Sequence, residues 1–186
     1  MDASIQDQAA SERLEAAAEE YHGIGPDAFK AAFRRHPGGV SVITADDGTG
    51  PVAMTLTSLA SVSAEPPLLI FSLSDLSSAT PTVRKAETFV AHLINADEID
   101  IAKLAATHGI DRFGDPALWD RMPTGEPYYT GVANRLRCRT VDEIRAGAST
   151  VIVGLVLEST VLPETMAEPL AYQNRTWHRL DDGSSI

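Results

Sequence analysis

The stretch Met54-Thr55-Leu56-Thr57-Ser58-Leu59-Ala60-Ser61-Val62-Ser63-Ala64-Glu65-Pro66-Pro67, continued by Leu68-Leu69-Ile70-Phe71-Ser72-Leu73, governs how the rest of the chain is read. Residues 52–63 alternate loosely and carry Thr and Ser where a core strand ordinarily carries Val and Ile. Pro66-Pro67 closes that segment, and the nearly continuous apolar run 68–73 reads as a buried strand. A phosphate held without a positive field needs short hydroxyl donors and free backbone N–H groups, and this stretch offers both. An edge strand with a solvated Ser/Thr face has the same composition, so on residue types alone both readings stand.

Strand patterns continue on either side. Val40-Ser41-Val42-Ile43-Thr44 is short and β-branched, and the turn cluster Asp46-Asp47-Gly48-Thr49-Gly50-Pro51 separates it from the first stretch. Residues 89–95, 132–141 and 150–161 read as strands, with 170–180 as a last one. Residues 82–87 suggest a short helix. Residues 98–107 have helical spacing, with Ile101, Leu104 and Ala105 on one side. Asp27 is placed to cap a helix whose face carries Phe29, Ala32 and Phe33, and Pro37-Gly38-Gly39 stops it. Residues 108–131 are dense in Gly, Pro and Asp and read as loop. Five to seven strands with short helices at the corners give a mainly β chain, a barrel or a sandwich.

The chain has 186 residues, which suits one domain. Residues 1–25 are set apart as an arm, helical or disordered, because good helix formers there carry only a thin apolar stripe before Gly23 and Gly25. The domain proper is expected over 26–182. The net charge is −11, which argues against a nucleic-acid or anionic-membrane surface. No segment approaches the roughly 20 apolar residues of a membrane span. With one cysteine, Cys138, and no export signal, the expected compartment is the cytoplasm.

Most catalytic signatures are missing. No Gly-x-Gly-x-x-Gly follows a strand, there is no P-loop, and no nucleophile elbow is marked. His22, His36, His92, His108 and His178 lack metal-ligand spacing, so no metal is expected. Arg135, Arg137 and Arg139 share a strand face, which suits either a dinucleotide phosphate or, more commonly, carboxylates on a neighbouring strand. Cys138 alternates with them and points inward as a small core residue. Trp119 and Trp177 read as packing residues.

Taken in order, the segments resemble the flavin reductase family. His36-Pro37-Gly38-Gly39-Val40-Ser41-Val42-Ile43-Thr44 is similar to its first strand. Residues 54–67 resemble its flavin-binding block, and Leu73 with Ser77-Ser78-x-Thr80 its next block. Phe89-Val90-x-His92-Leu93-Ile94, Asp111-Arg112-Phe113 with Trp119, and Pro169-Leu170-x-Tyr172-x-x-Arg175-x-Trp177 complete the series. The resemblance covers residues 27 to 180, and the ordered series carries it rather than any one motif.

The resemblance implies an FMN-binding split β-barrel, a Greek-key-like antiparallel fold, working as a homodimer with the flavin between two subunits. It places Thr55, Leu56, Thr57 and Ser58 along the ring and ribityl chain. Ser61, Ser63, Ser78 and Thr80 fall near the ribityl or phosphate end, and Arg112 and Phe113 near the flavin or the nicotinamide. From the residues alone, Arg112 reads equally as a surface ion pair and Ser78 as a helix cap. The implied cofactor is FMN, with FAD as the alternative, and the implied co-substrate is NADH or NADPH. No side chain is assigned as catalytic acid or base, and a two-component monooxygenase is the implied partner. One departure stands out: Gly147-Ala148-Ser149 lies where many family members carry Gly-Asp-His, whose histidine is associated with nicotinamide. A flavin-binding protein without nicotinamide activity, and a purely structural barrel dimer, are the alternatives.

Overall fold

The computed structural model of the chain describes residues 3–161 and 168–185. Its strands are β1 (Gly38–Gly39), β2 (Ser41–Asp46), β3 (Pro51–Leu56), β4 (Ala60–Ala64), β5 (Pro67–Ser74), β6 (Thr88–Leu93), β7 (Trp119–Arg121), β8 (Pro127–Tyr129), β9 (Asn134–Ala146), β10 (Ser149–Thr160), β11 (Leu170–Gln173) and β12 (Thr176–Arg179). The helices are α1 (Ala3–Tyr21), α2 (Pro26–Arg34), α3 (Thr80–Lys85) and α4 (Ile99–Ala106).

Seven strands form one antiparallel sheet in the order β3-β2-β6-β9-β10-β5-β4. Its two edges, β3 and β4, are consecutive in the chain and joined only by residues 57–59. Four Cα steps separate Leu56 from Ala60, a reach of at most about 15 Å. The sheet must therefore curl until its edges approach each other, which makes a barrel with a seam at Thr57-Ser58-Leu59. This is the mainly β, antiparallel split barrel expected from the sequence.

Two cores flank the barrel wall. The interior holds Ile43, Leu56, Phe71, Leu73, Phe89 and Ile152, among others. Phe71 meets Phe89 edge to face at 5.1 Å, the arrangement aromatic quadrupoles favour. A Cβ on Gly154 would fall 2.7 Å from Phe89 Cζ, so only glycine lets β10 cross there. α3 adds Val83 to this interior. Outside the wall, Val40, Val42 and Ala53 pack with α4 and with Phe113, Tyr129 and Val132. β2 is consequently buried on both faces.

Several expected elements differ in detail. The single strand expected over 52–63 is two strands, because the Ser58 hydroxyl takes the Ser72 N–H at 3.0 Å in place of a ladder bond. Residues 108–131 contain the β7–β8 hairpin, whose three-residue strands leave no periodic signal. The last strand is a hairpin, β11–β12, turned by Asn174 and Arg175 at φ 49 and 63. The β5 strand is only half buried, with Leu69, Phe71 and Leu73 inward and Leu68 and Ile70 partly exposed. Gly25 rather than Asp27 is the N-cap of α2, and Asp27 sits in the first turn where the helix dipole favours it. The N-cap of α3 is Ala79, not Ser78. Within the N-terminal arm, α1 lies against β9.

Candidate functional site

One side of β5 is fully occupied by β10, while on the other only Pro67–Ile70 pair with β4. Hydroxyls line that second side. Ser63 stands opposite Leu68 and Ser61 opposite Leu69. Ser58 sits at Ser72, and Thr80 Oγ1 donates to the Ser74 carbonyl at 2.7 Å. From Leu68 to Ser74 this row runs about 20 Å at the usual rise per strand residue.

The hydroxyls divide into two sets. Those of Ser58 and Thr80 are engaged within the chain. So is that of Thr55, which donates to the Ala102 carbonyl at 2.7 Å and ties β3 to α4. Among the described residues, the hydroxyls of Thr57, Ser61, Ser63 and Ser78 have no partner.

Ser61 and Ser63 open onto a cavity of about 560 Å³ walled by Val40, Leu59, Leu68, Leu93 and Val156. That size lies within the ordinary range for small-molecule sites. Asn95 and Asn134 also line it, and Asn95 Nδ2 and Asn134 Oδ1 are buried without a hydrogen-bond partner. The Asn95 side chain caps the turn at Ala96–Glu98, which leaves its N–H₂ group over. A donor and an acceptor left unpaired in one cavity are costly unless a ligand or water meets them. No local pattern along the chain signals this pair.

The other expected residues lie elsewhere. Thr57 faces a separate cleft beside β11 and β12, and Thr80 lines one with Asp75, Arg84 and Glu143. Leu56 is part of the barrel interior. Arg112 forms no ion pair among the described residues: its guanidinium donates to the carbonyls of Thr107 and Ala53, at 2.9 Å each. Phe113 is buried, stacked on Tyr129 at 5.4 Å and edge-on to Trp119 at 5.0 Å.

The order of these strands and the hydroxyl-bearing seam match a known family. The profile of the flavin reductase like domain covers residues 33–181. This chain belongs to the flavin reductase-like family. An NADH:FMN oxidoreductase from Rhodococcus qingshengii is 38% identical over 159 residues, covering 84% of this chain and 83% of that protein. The reductase component of a 4-nitrophenol 4-monooxygenase/4-nitrocatechol 2-monooxygenase from Rhodococcus opacus is 29% identical over 147 residues, 77% of each chain. The crystal structure of a flavin reductase domain protein from Arthrobacter sp. FB24 superposes with a TM-score of 0.78 at 28% identity, covering 83% of this chain and 95% of that one.

The remaining polar groups of this flavin reductase-like domain are largely structural. Arg137 pairs with Glu126 and Glu158, and Arg139 with Glu87, so the arginine row mostly serves carboxylates. Arg135 lies over the Tyr128 ring at 4.5 Å. Burial would raise the Glu126 carboxyl, but the Thr124 and Thr88 hydroxyls and Arg137 hold it down at about 2. Burial pushes the Cys138 thiol up to about 12, which removes it as a nucleophile. His92 bridges the Val42 carbonyl and the Tyr129 N–H, and burial pushes its pKa down to about 4. It is a neutral strut between β2, β6 and β8. Gly147-Ala148 form the β9–β10 turn, with Gly147 at φ 59, and the Ala148 carbonyl takes the Asp75 N–H. No helix among the described residues is long and apolar enough to cross a membrane.

Proposed function

We propose that this protein is an NADH-dependent flavin reductase that holds FMN along the hydroxyl-lined edge of β5. The observation that carries the reading is the pair of hydroxyls on Ser61 and Ser63, unengaged among the described residues, in one cavity with the unpaired amide groups of Asn95 and Asn134. In a chain of net charge −11 an anionic cofactor has to be met by local donors, and these are short, neutral and close to the barrel seam. The residues therefore fit a flavin nucleotide. When bound, FMN supplies a ring that takes two electrons from NADH and releases them to an acceptor.

The roles of the chain's own groups follow from their chemistry. Ser61 and Ser63 donate to ribityl or phosphate oxygens. Asn95 offers N–H donors and Asn134 a carbonyl acceptor, a pair that suits a heterocycle edge. Leu59, Leu68 and Val156 exclude water around it. Thr80 lines a separate cleft and Ser78 is not among the residues of the cavity, so one chain does not gather the whole site. A second copy of the chain would complete it. The exposed side chains of Val62, Leu93 and Leu157, on three strands that line the cavity, give that copy an apolar surface to cover. The reduced flavin then passes to a separate oxygenase, in keeping with the reductase-component name of the Rhodococcus opacus relative. The setting proposed for this exchange is the cytoplasm.

The test is NADH oxidation by purified protein with and without added FMN, beside a no-protein control. Flavin-dependent turnover supports the reading. Tight FMN binding without turnover overturns it and favours a flavin-binding protein of another kind. The turn Gly147-Ala148-Ser149 gives that second reading its own basis, since the acid and histidine of many relatives are missing there.

A further inference from the structure

A cluster of unpaired cations stands apart from the cavity. Seven of the chain's fifteen Lys and Arg residues form ion pairs with carboxylates. Arg13, Arg112 and Arg135 donate to backbone carbonyls. Five remain without such a partner among the described residues, and four of these, Lys30, Arg34, Arg35 and Arg175, gather where the end of α2 meets the β11–β12 turn. Lys30, Arg34, His36 and Arg175 line a cleft of about 330 Å³ that holds no Asp or Glu among the described residues. In a protein with net charge −11, such a concentration is out of keeping with the surroundings.

Helix capping does not account for it. The last carbonyls of α2 are already met: Ala32 and Phe33 accept from Arg35 and His36, Arg34 from the Asn174 N–H, and Arg35 from Gln173 Nε2. Those bonds anchor the β11–β12 turn on the helix and leave the guanidinium groups facing solvent. The same cleft is lined by two aromatic rings, the exposed Phe33 and the partly buried Tyr172. Thr57, with its unengaged hydroxyl, forms the remaining wall, one residue from the seam position Ser58. Positive charge, aromatic faces and contact with the flavin-side seam are what a dinucleotide needs: cations for a pyrophosphate and a ring on which a base stacks.

We propose that this cleft holds the pyrophosphate and adenosine half of the reduced nicotinamide dinucleotide, with Arg34 and Arg175 on the pyrophosphate and Phe33 or Tyr172 against the adenine. This rests on the reductase reading and names its second substrate site. It also places dinucleotide recognition away from the β9–β10 turn, where Ala148 and Ser149 offer no charge.

The experiment uses the full chain carrying Lys30→Gln, Arg34→Gln and Arg175→Asn together, since asparagine tolerates the left-handed backbone at that turn. An Arg139→Gln variant serves as a surface-charge control. Loss of the charge-assisted contacts raises the KM for NADH about tenfold or more. The KM for reduced nicotinamide mononucleotide, which lacks the adenosine half, stays unchanged, as does FMN affinity by fluorescence titration. Calorimetric titration of the flavin-free protein with ADP-ribose shows binding to the unaltered chain that the triple variant loses. Unchanged NADH kinetics and ADP-ribose binding in the triple variant overturn this inference and leave the reductase reading standing. A fall in FMN affinity with the KM for NADH unmoved overturns it in favour of a flavin phosphate site. Absence of NADH turnover in the unaltered chain counts against the reductase reading itself, while the ADP-ribose titration still reads the cleft.

Discussion

The hydroxyl-bearing seam at residues 57–63 and the packed segment at residues 107–113 both flank β3, and they use their polar groups in opposite ways. In the packed segment, Arg112 gives its guanidinium to the Thr107 and Ala53 carbonyls and its own carbonyl to the Tyr129 hydroxyl. Phe113 is sandwiched among aromatics in the outer core. Along the seam, the hydroxyls of Thr57, Ser61 and Ser63 have no partner among the described residues, and Ser61 and Ser63 share their cavity with buried amides also left over. The resemblance to flavin reductases assigned both segments to the ligand. Unmet hydrogen-bonding capacity separates them, and only the seam has it.

The sharpest way to break that contrast is to truncate Phe113. Phe113→Ala opens a cavity in the outer core and lowers stability by about 3–5 kcal/mol, read by chemical denaturation. FMN affinity of the folded fraction stays where it was. A stable variant with weakened FMN binding would move this segment back into the site.

Acid sharpens the structural side. The folded chain keeps His92 neutral, with a pKa near 4 against an ordinary 6.5, because it is fully buried and Arg135 lies close. As pH falls below 6.5 the unfolded chain takes up this proton first. Stability therefore drops between about pH 6.5 and pH 4, by up to ~3 kcal/mol from this group. Denaturation midpoints measured across that window check it. A His92→Gln variant is less stable at neutral pH and shows a shallower decline.

Arg112→Ala comes next. It removes bonds that tie residue 107 and β3 together and costs about 1–3 kcal/mol of stability. The KM for NADH and the FMN affinity remain near those of the unaltered chain. If either rises tenfold with stability intact, the guanidinium reaches a ligand in the working assembly.

Much of this was legible in the sequence because period and composition carried it. The strand series, the Thr/Ser substitution of a core-like strand and the inward Cys138 are local patterns, and the fold preserved each of them. Partnership between distant groups was not legible. Whether a given Ser is free depends on Ser72 or Ser74 arriving beside it, as happened for Ser58 and Thr80. The internal partners of Arg112 were not legible either, because nothing local announces that the Ala53 carbonyl, 59 positions away, will take its N–H. The cationic cleft joins α2 to a turn about 140 residues later, and no window along the chain contains both. The β7–β8 hairpin was hidden for a simpler reason: its strands are shorter than any periodic signal.

The central claim is that the seam hydroxyls hold the flavin, and FMN titration of a Ser61→Ala, Ser63→Ala double variant by fluorescence tests it most directly. Each lost bond is worth about 1 kcal/mol, so the dissociation constant rises on the order of tenfold or more while surface substitutions of this kind leave stability within about 0.5 kcal/mol. An unchanged FMN affinity in a fully folded double variant would contradict the claim and place the flavin away from the edge of β5.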